Sequence, residues 1–200
     1  MEEKSKLTEF EFNRQAFHML LGLIMVLLLR YGLINDNMIL ILILAGFILS
    51  FLSAKIKIPF IYALLQKFER KKDLEKFPGK GIIFYFIGIY ISLLLFPKEI
   101  AMASIMILAL GDSVSHLYGL HYGKIKHPLS NTKFFEGTIA GFIAGFLGAW
   151  IFLPWLEAFF ASLAAMAVEA IEIKIGAEQV DDNLIIPIIA GAAVLAVRLF

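Results

Sequence analysis

Residues 99–120 read Glu99-Ile-Ala-Met-Ala-Ser-Ile-Met-Ile-Leu-Ala-Leu-Gly-Asp-Ser-Val-Ser-His-Leu-Tyr-Gly-Leu120. A helix that crosses a bilayer needs about 17 to 25 mostly apolar residues, and this run has that length. It also carries a carboxylate, Asp112, and a histidine, His116. An ionisable group inside such a run is costly and by default marks a functional position. One stretch therefore predicts both a helical membrane protein and the place where it works.

Composition extends the reading to the whole chain. Of 200 residues, 60% are hydrophobic and only 18% are charged, against about 25% charged in a soluble domain. The mean hydropathy is +0.83. Seven apolar stretches stand out, at roughly 15–34, 38–54, 80–96, 99–120, 137–153, 155–173 and 184–200. Turn signals separate them: Asn35-Asp36-Asn37, Pro97-Lys98, Pro154 and Asp181-Asp182-Asn183. Trp150 and Trp155 flank Pro154 and fit an interfacial belt. The expected fold is an all-α, polytopic membrane bundle of about seven transmembrane helices, forming a single domain over residues 1–200. No cleavable signal peptide is expected, because the start up to Arg14 mixes acidic and basic residues and lacks a small-residue cleavage site. The net charge of +1 gives no reason to expect a nucleic-acid partner. Absence of cysteine excludes disulfides and thiolate metal sites.

Charge sets the expected orientation. With seven spans and a cytoplasmic N-terminus, the inside segments are 1–14, 54–80, 121–135 and 174–183. They hold 15 of the 18 basic residues, leaving only Arg30, Lys98 and Arg198 outside. Such a bias is the positive-inside pattern. The longest inside segment, 54–80, is a basic loop in which Phe60, Ile61, Leu64, Leu65 and Phe68 follow helical spacing. Two readings fit it: an amphipathic helix on the inner leaflet, or a loop that only sets topology. Gly137, Gly141, Gly145 and Gly148 form a small-residue stripe. It predicts close helix packing, within one bundle or through a homodimer face on helix 137–148.

Three groups of residues carry chemistry. Asp112, Ser115, His116 and Gly119 share one helix face by spacing. Gly119 and Gly123 leave room for a ligand against the backbone, and Lys124, Lys126 and Lys133 follow in a loop. A carboxylate reaches phosphate through a divalent cation, for which Mg²⁺ is the usual choice. Lysines then neutralise the remaining phosphate charge. The alternative for Asp112 is a salt bridge to a neighbouring helix. The second group is Glu169 and Glu172, followed by Asp181, Asp182 and Asn183. One of the last three is expected to cap a helix; the glutamates fit a metal ligand or a base for a lipid hydroxyl. The third is Glu11, Arg14 and His18 on one face of the first helix, readable also as a membrane-entry helix with a core histidine.

With these motifs in view, the chain resembles the CTP-dependent polyprenol kinases, the family of dolichol, phytol and farnesol kinases and the CTP-using diacylglycerol kinase. The family signature Asp-x2-Ala-x3-Gly-x3-Gly-x8-Lys-Lys-Thr-x-Glu-Gly appears here as Asp112-x2-Ser115-x3-Gly119-x3-Gly123-x8-Thr132-Lys133-Phe134-x-Glu136-Gly137. Every spacing holds. The departures are Ser115 for alanine, Thr132 for lysine and Phe134 for threonine. Glu169, the Asp181–Asn183 run before Pro187, the Arg14-x3-His18 pattern, Lys80-Gly81 and Tyr85-x2-Gly88 are similar to the family's other regions.

The resemblance implies transfer of the CTP γ-phosphate to the hydroxyl of a polyprenol-type lipid alcohol, at the cytoplasmic face of the cell membrane. It implies Mg²⁺ on Asp112 and Glu136, with 121–136 as the nucleotide-binding loop. Ser115, Gly119, Gly123, Lys124, Lys133 and Gly137 would bind the nucleotide. Asp112, Glu136, Glu169 and Asp182 would be the catalytic set, with Glu169 or Asp182 orienting or deprotonating the lipid hydroxyl. The partners expected are CTP, the lipid alcohol and membrane lipids. Two rival readings are a CDP-lipid synthase and an ion-coupled transporter whose path runs through Asp112, His116 and Glu169.

Overall fold

A computed structural model describes residues 2–199 apart from Lys57, Leu129, Asn131, Glu172, Gly176 and Ala177. Glu172, one of the predicted glutamate pair, thus lies outside the described residues. A helix occupies each of the seven apolar stretches: α1 (Glu2–Arg30), α2 (Asp36–Lys55), α5 (Lys80–Leu95), α6–α7 (Lys98–Met106 and Ser113–Tyr122), α8 (Phe135–Trp150), α9 (Trp155–Glu169) and α10 (Asp182–Val197). Between α6 and α7 the helix continues as a π-helical turn, Ile107–Asp112. Two short helices, α3 (Pro59–Phe68) and α4 (Lys71–Lys76), fold from the basic segment. A two-residue antiparallel pair, β1 (Lys174–Ile175) with β2 (Glu178–Gln179), joins α9 to α10.

The boundaries follow local chemistry. Asn35 accepts the Met38 N–H at 3.0 Å and starts α2, while Asp181 accepts the Asn183 N–H at 3.1 Å and starts α10. These are the caps that helix N-termini require. Pro97 and Pro154, immediately before α6 and α9, cannot extend the preceding helix. Glu9–Arg30, Asp36–Lys55 and Lys98–Tyr122 are long and apolar enough to cross a bilayer. Helices α5, α8, α9 and α10 have 15 or 16 residues, which at about 1.5 Å per residue is roughly 24 Å, short of a hydrocarbon core of about 30 Å.

The Lys98–Tyr122 helix is the axis of the bundle. Helices α1, α5, α8, α9 and α10 all pack on some part of it, so Ile100, Ala101, Ala103, Ile105, Ile107, Leu108 and Ala109 are fully enclosed. Helix α2 packs on α5, and its outward residues Ile41, Leu44, Ile48 and Phe51 are exposed. The glycine stripe of α8 is consumed inside the chain. A Cβ at Gly141 would lie 2.6 Å from the Gly111 carbonyl, and one at Gly145 would lie 2.7 Å from Ser162 Oγ. Small residues here let α8 seat against the axial helix, the first of the two packing readings.

The basic segment departs from a single amphipathic helix. Helix α3 ends at Phe68 because Glu69 is extended (φ −122°, ψ 144°). Its carboxylate turns to take the Gly79 N–H at 2.6 Å and the Gly81 N–H at 3.4 Å. Gly79 has φ +83°, a left-handed conformation that glycine adopts without a Cβ penalty. Phe68 stacks on Phe17 of α1 with ring centroids 4.7 Å apart. The segment is thereby folded over one end of the bundle.

A carboxylate–lysine centre at the basic end

Four separated segments meet at that end. Arg70 reaches Glu11 at 3.2 Å, the Asn183 amide reaches the Gly81 carbonyl at 3.4 Å, and Lys133 reaches both Glu169 and Asp182. At the opposite end Arg198 pairs with Glu157 at 2.9 Å and Glu99 at 3.2 Å. The predicted inside segments therefore share one end of the molecule.

The centre begins with the axial helix. The π turn ends at Asp112; π-bulges are rare and recur at functional sites because they re-aim side chains. Asp112, Ser115, His116 and Gly119 line one face of a cleft of about 1030 Å³. Glu169, from the end of α9, and Asp182, from the first residue of α10, line the same cleft. One carboxylate oxygen from each of Asp112, Glu169 and Asp182 lies within 4.8 Å of the others. Three charges so close repel strongly, and they need a cation or protons to coexist.

Lys133 supplies one cation. Its loop is held as a hairpin by the His127 N–H on the Lys133 carbonyl at 2.9 Å and the Phe135 N–H on the Ile125 carbonyl at 3.0 Å. From there the Lys133 ammonium donates to Glu169 Oε1 at 2.7 Å, the Glu169 carbonyl at 2.6 Å and Asp182 Oδ2 at 3.0 Å. Ser115 Oγ donates to Glu169 Oε2 at 3.3 Å. Burial alone would depress the lysine, but the charges of Glu169, Asp182 and Asp112 outweigh it and hold the ammonium above its ordinary value. Lys133 stays charged throughout any working pH. Asp181, next to this group, is raised by burial against the opposing Asn183 N–H.

Other predicted residues take different places. Glu136 is not in the carboxylate group: its side chain accepts the Ile125 N–H at 3.2 and 3.3 Å and braces the 124–126 strand of the loop. Lys124 is exposed, and Gly123, Lys124, Glu136 and Gly137 are not among the residues lining the cleft. Gly137 serves packing instead, since a Cβ there would lie 2.5 Å from the Ser115 carbonyl. His18 Nε2 stands 4.0 Å from Asp112 Oδ2, and its ring meets Tyr85 edge-on at 4.5 Å. The Tyr85 hydroxyl is buried with no hydrogen-bond partner among the described residues. Tyr85 had only a weak sequence signal. Glu69 and Arg70 were legible only as charges in a basic loop, because their partners are 10 and 59 residues away.

The donor set suits one ion class. Among the described residues the group is all carboxylate, and one or two carboxylates together with phosphate oxygens are the usual ligands of a hard divalent cation such as Mg²⁺. With such a cation bound, Lys133 and the cleft could receive a polyphosphate.

Comparison with known proteins gives the same direction. The chain is 32% identical over 188 residues to an uncharacterized protein of Methanocaldococcus jannaschii, covering 90% of this chain and 91% of that one. It is 26% identical over 205 residues to CTP-dependent diacylglycerol kinase 1 of Schizosaccharomyces pombe, covering 90% of each. It is 30% identical over 126 residues to probable phytol kinase 2, chloroplastic, of Glycine max, covering 54% of this chain and 42% of that one. No family model matches the chain, and no solved structure does. The chain belongs to the CTP-dependent lipid kinase family.

Proposed function

For this member of that family we propose the transfer of the CTP γ-phosphate to the hydroxyl of a polyprenol-type lipid alcohol at the cytoplasmic face of the cell membrane. The observation that carries the reading is the Asp112, Glu169 and Asp182 carboxylates converging on Lys133 at the basic end of the bundle. Named relatives support CTP and a lipid hydroxyl, being kinases of diacylglycerol and of phytol.

Phosphoryl transfer asks mainly for positioning and charge neutralisation. Asp112 and Asp182, the more exposed of the three carboxylates, would hold Mg²⁺. When bound, Mg²⁺ neutralises charge on the triphosphate. Lys133 would exchange its contact with Asp182 for a phosphate oxygen while keeping its hold on Glu169. Glu169, 3% exposed and gripped by Lys133 and Ser115, accepts the proton of the lipid hydroxyl. That oxygen forms the new bond to the γ-phosphorus as the bond to the β-phosphate oxygen breaks, and CDP leaves. Glu136 orders the nucleotide-binding loop 121–136 rather than meeting the metal.

We place seven spans across the bilayer with the N-terminus inside. The meeting of all four basic segments at one end, and of Glu99, Glu157 and Arg198 at the other, supports that alternation. Short helices α5, α8, α9 and α10 then cross a locally thinned bilayer, at a modest cost per ångström of mismatch.

Purified protein with γ-labelled or α-labelled CTP, and with polyprenol, phytol or diacylglycerol, tests the reading. Label from the γ position enters a lipid alcohol and label from the α position leaves as CDP. Label from the α position in lipid would select the CDP-lipid synthase instead.

A further inference from the structure

Glu11 on α1 is 7% exposed. Its carboxylate accepts from Arg14 Nε at 2.9 Å and from Arg70 Nε at 3.2 Å, and His116 Nε2 lies 3.1 Å away. A buried carboxylate needs a partner, and one arginine would satisfy it. Two arginines overcompensate it. Arg14 comes from the same helix, but Arg70 is brought from 59 residues away by the fold of α3 and α4. Both arginines line the cleft, as does His116. His116 lies about one helical turn beyond Asp112 on the axial helix, about 6 Å along its axis.

Each guanidinium binds Glu11 through Nε, and among the described residues neither spends its terminal amino groups on a partner. Paired terminal amino groups of arginine are the fork that grips phosphate oxygens with two parallel bonds. The surplus positive charge, the fork and the cleft occur together beside the carboxylate centre, which takes a different part of any polyphosphate.

We propose that Glu11 sets Arg14 and Arg70 as a two-arginine clamp for a phosphate group, distinct from the Lys133 centre. The group comes from one of two sources: the α- or β-phosphate of the nucleotide, which rests on the kinase reading, or an anionic phospholipid headgroup at the inner leaflet. Arg70 couples the basic segment to ligand. Segment 54–80 is then part of the binding site rather than a topology signal alone.

The test is binding without turnover. Full-length protein in phosphatidylcholine nanodiscs, with Mg²⁺, is titrated with tripolyphosphate and with CTP by calorimetry. The same protein in phosphatidylglycerol nanodiscs is analysed for retained phosphatidylglycerol by native mass spectrometry. Arg70→Gln and Arg14→Gln weaken tripolyphosphate and CTP binding by about tenfold or more if the source is the nucleotide. Loss of retained phosphatidylglycerol with unchanged nucleotide binding assigns the clamp to a headgroup. Arg70→Lys keeps the charge, loses the fork and falls between wild type and Arg70→Gln. It also serves should Arg70→Gln fail to fold. Unchanged tripolyphosphate, CTP and phosphatidylglycerol binding in folded Arg70 and Arg14 variants overturns the proposal. A clamp-dependent tripolyphosphate affinity in protein that transfers phosphate to no alcohol would sink the kinase reading and leave the clamp standing.

Discussion

The Lys133 ammonium grips Glu169 twice, at 2.7 Å on the side chain and 2.6 Å on the backbone carbonyl. Thirty-six residues separate the two. The contact ties the hairpin loop to the end of α9, where the helix leaves its last backbone carbonyls without helical partners.

Lys133→Met should remove phosphate transfer and also destabilise the fold. It leaves Glu169 and Asp182 facing Asp112 without their cation. Breaking a buried pair from one side costs about 3–5 kcal/mol. Adding Glu169→Gln should recover much of the melting temperature and none of the activity. A single variant with wild-type melting and no transfer would show that the ion pair carries chemistry only.

Asp112→Asn should fold, bind detergent and melt normally, and lose about 10²–10³ in turnover. Labelled-CTP transfer across a range of Mg²⁺ concentrations measures it. Near-normal turnover at every concentration would remove Asp112 from the metal assignment.

Gly141→Val should destabilise the bundle, because a Cβ there would meet the Gly111 carbonyl at 2.6 Å and Ser115 Cβ at 2.7 Å. Overpacking of this kind costs about 1–3 kcal/mol, and the strain falls on the π turn that carries Asp112. Gly81→Ala is the control, since nothing lies within 4 Å of its Cβ position. Both are read as melting temperature and as oligomeric state in detergent. An unchanged melt with a changed oligomeric state for Gly141→Val would move the stripe to a subunit interface.

Tyr85→Phe should be neutral or stabilising in the ligand-free protein. The hydroxyl is buried without a partner among the described residues, and removing such a group relieves a desolvation penalty. If the hydroxyl meets a ligand in the cleft it lines, the same variant should raise KM. A loss of stability without a change in KM would show that the hydroxyl has a structural partner.

Reporter fusions at positions 65 and 128 should read cytoplasmic, and one at the C-terminus should read outside. A cytoplasmic C-terminus would contradict the seven-span arrangement.

Helices and their facing residues were legible in the sequence because those signals are local. Asp112, Ser115, His116 and Gly119 line one cleft as their i+3, i+4 and i+7 spacing requires. Asp181 caps α10 as an Asx residue before an apolar run does. The π turn was not legible, because its backbone register depends on what packs beside it. Nor was the break after Phe68. Glu69 follows directly on Phe68, the last of the helically spaced apolar residues, yet in the fold its carboxylate is drawn to Gly79 and Gly81.

By itself the sequence determined a membrane-embedded helical bundle, the end of it that carries the charge, and Asp112 as the costly residue to explain. These follow from hydropathy, periodicity and charge, which act over one or two helical turns. Only the tertiary structure decided that Glu169 and Asp182, rather than Glu136, share Asp112's site, and that Arg70 reaches Glu11. Those pairings with Asp112 and with Glu11 span 57 or more residues and arise where separate helices pack. Carboxylates at helix ends look alike in a sequence until packing sets which of them lie close enough to share a cation.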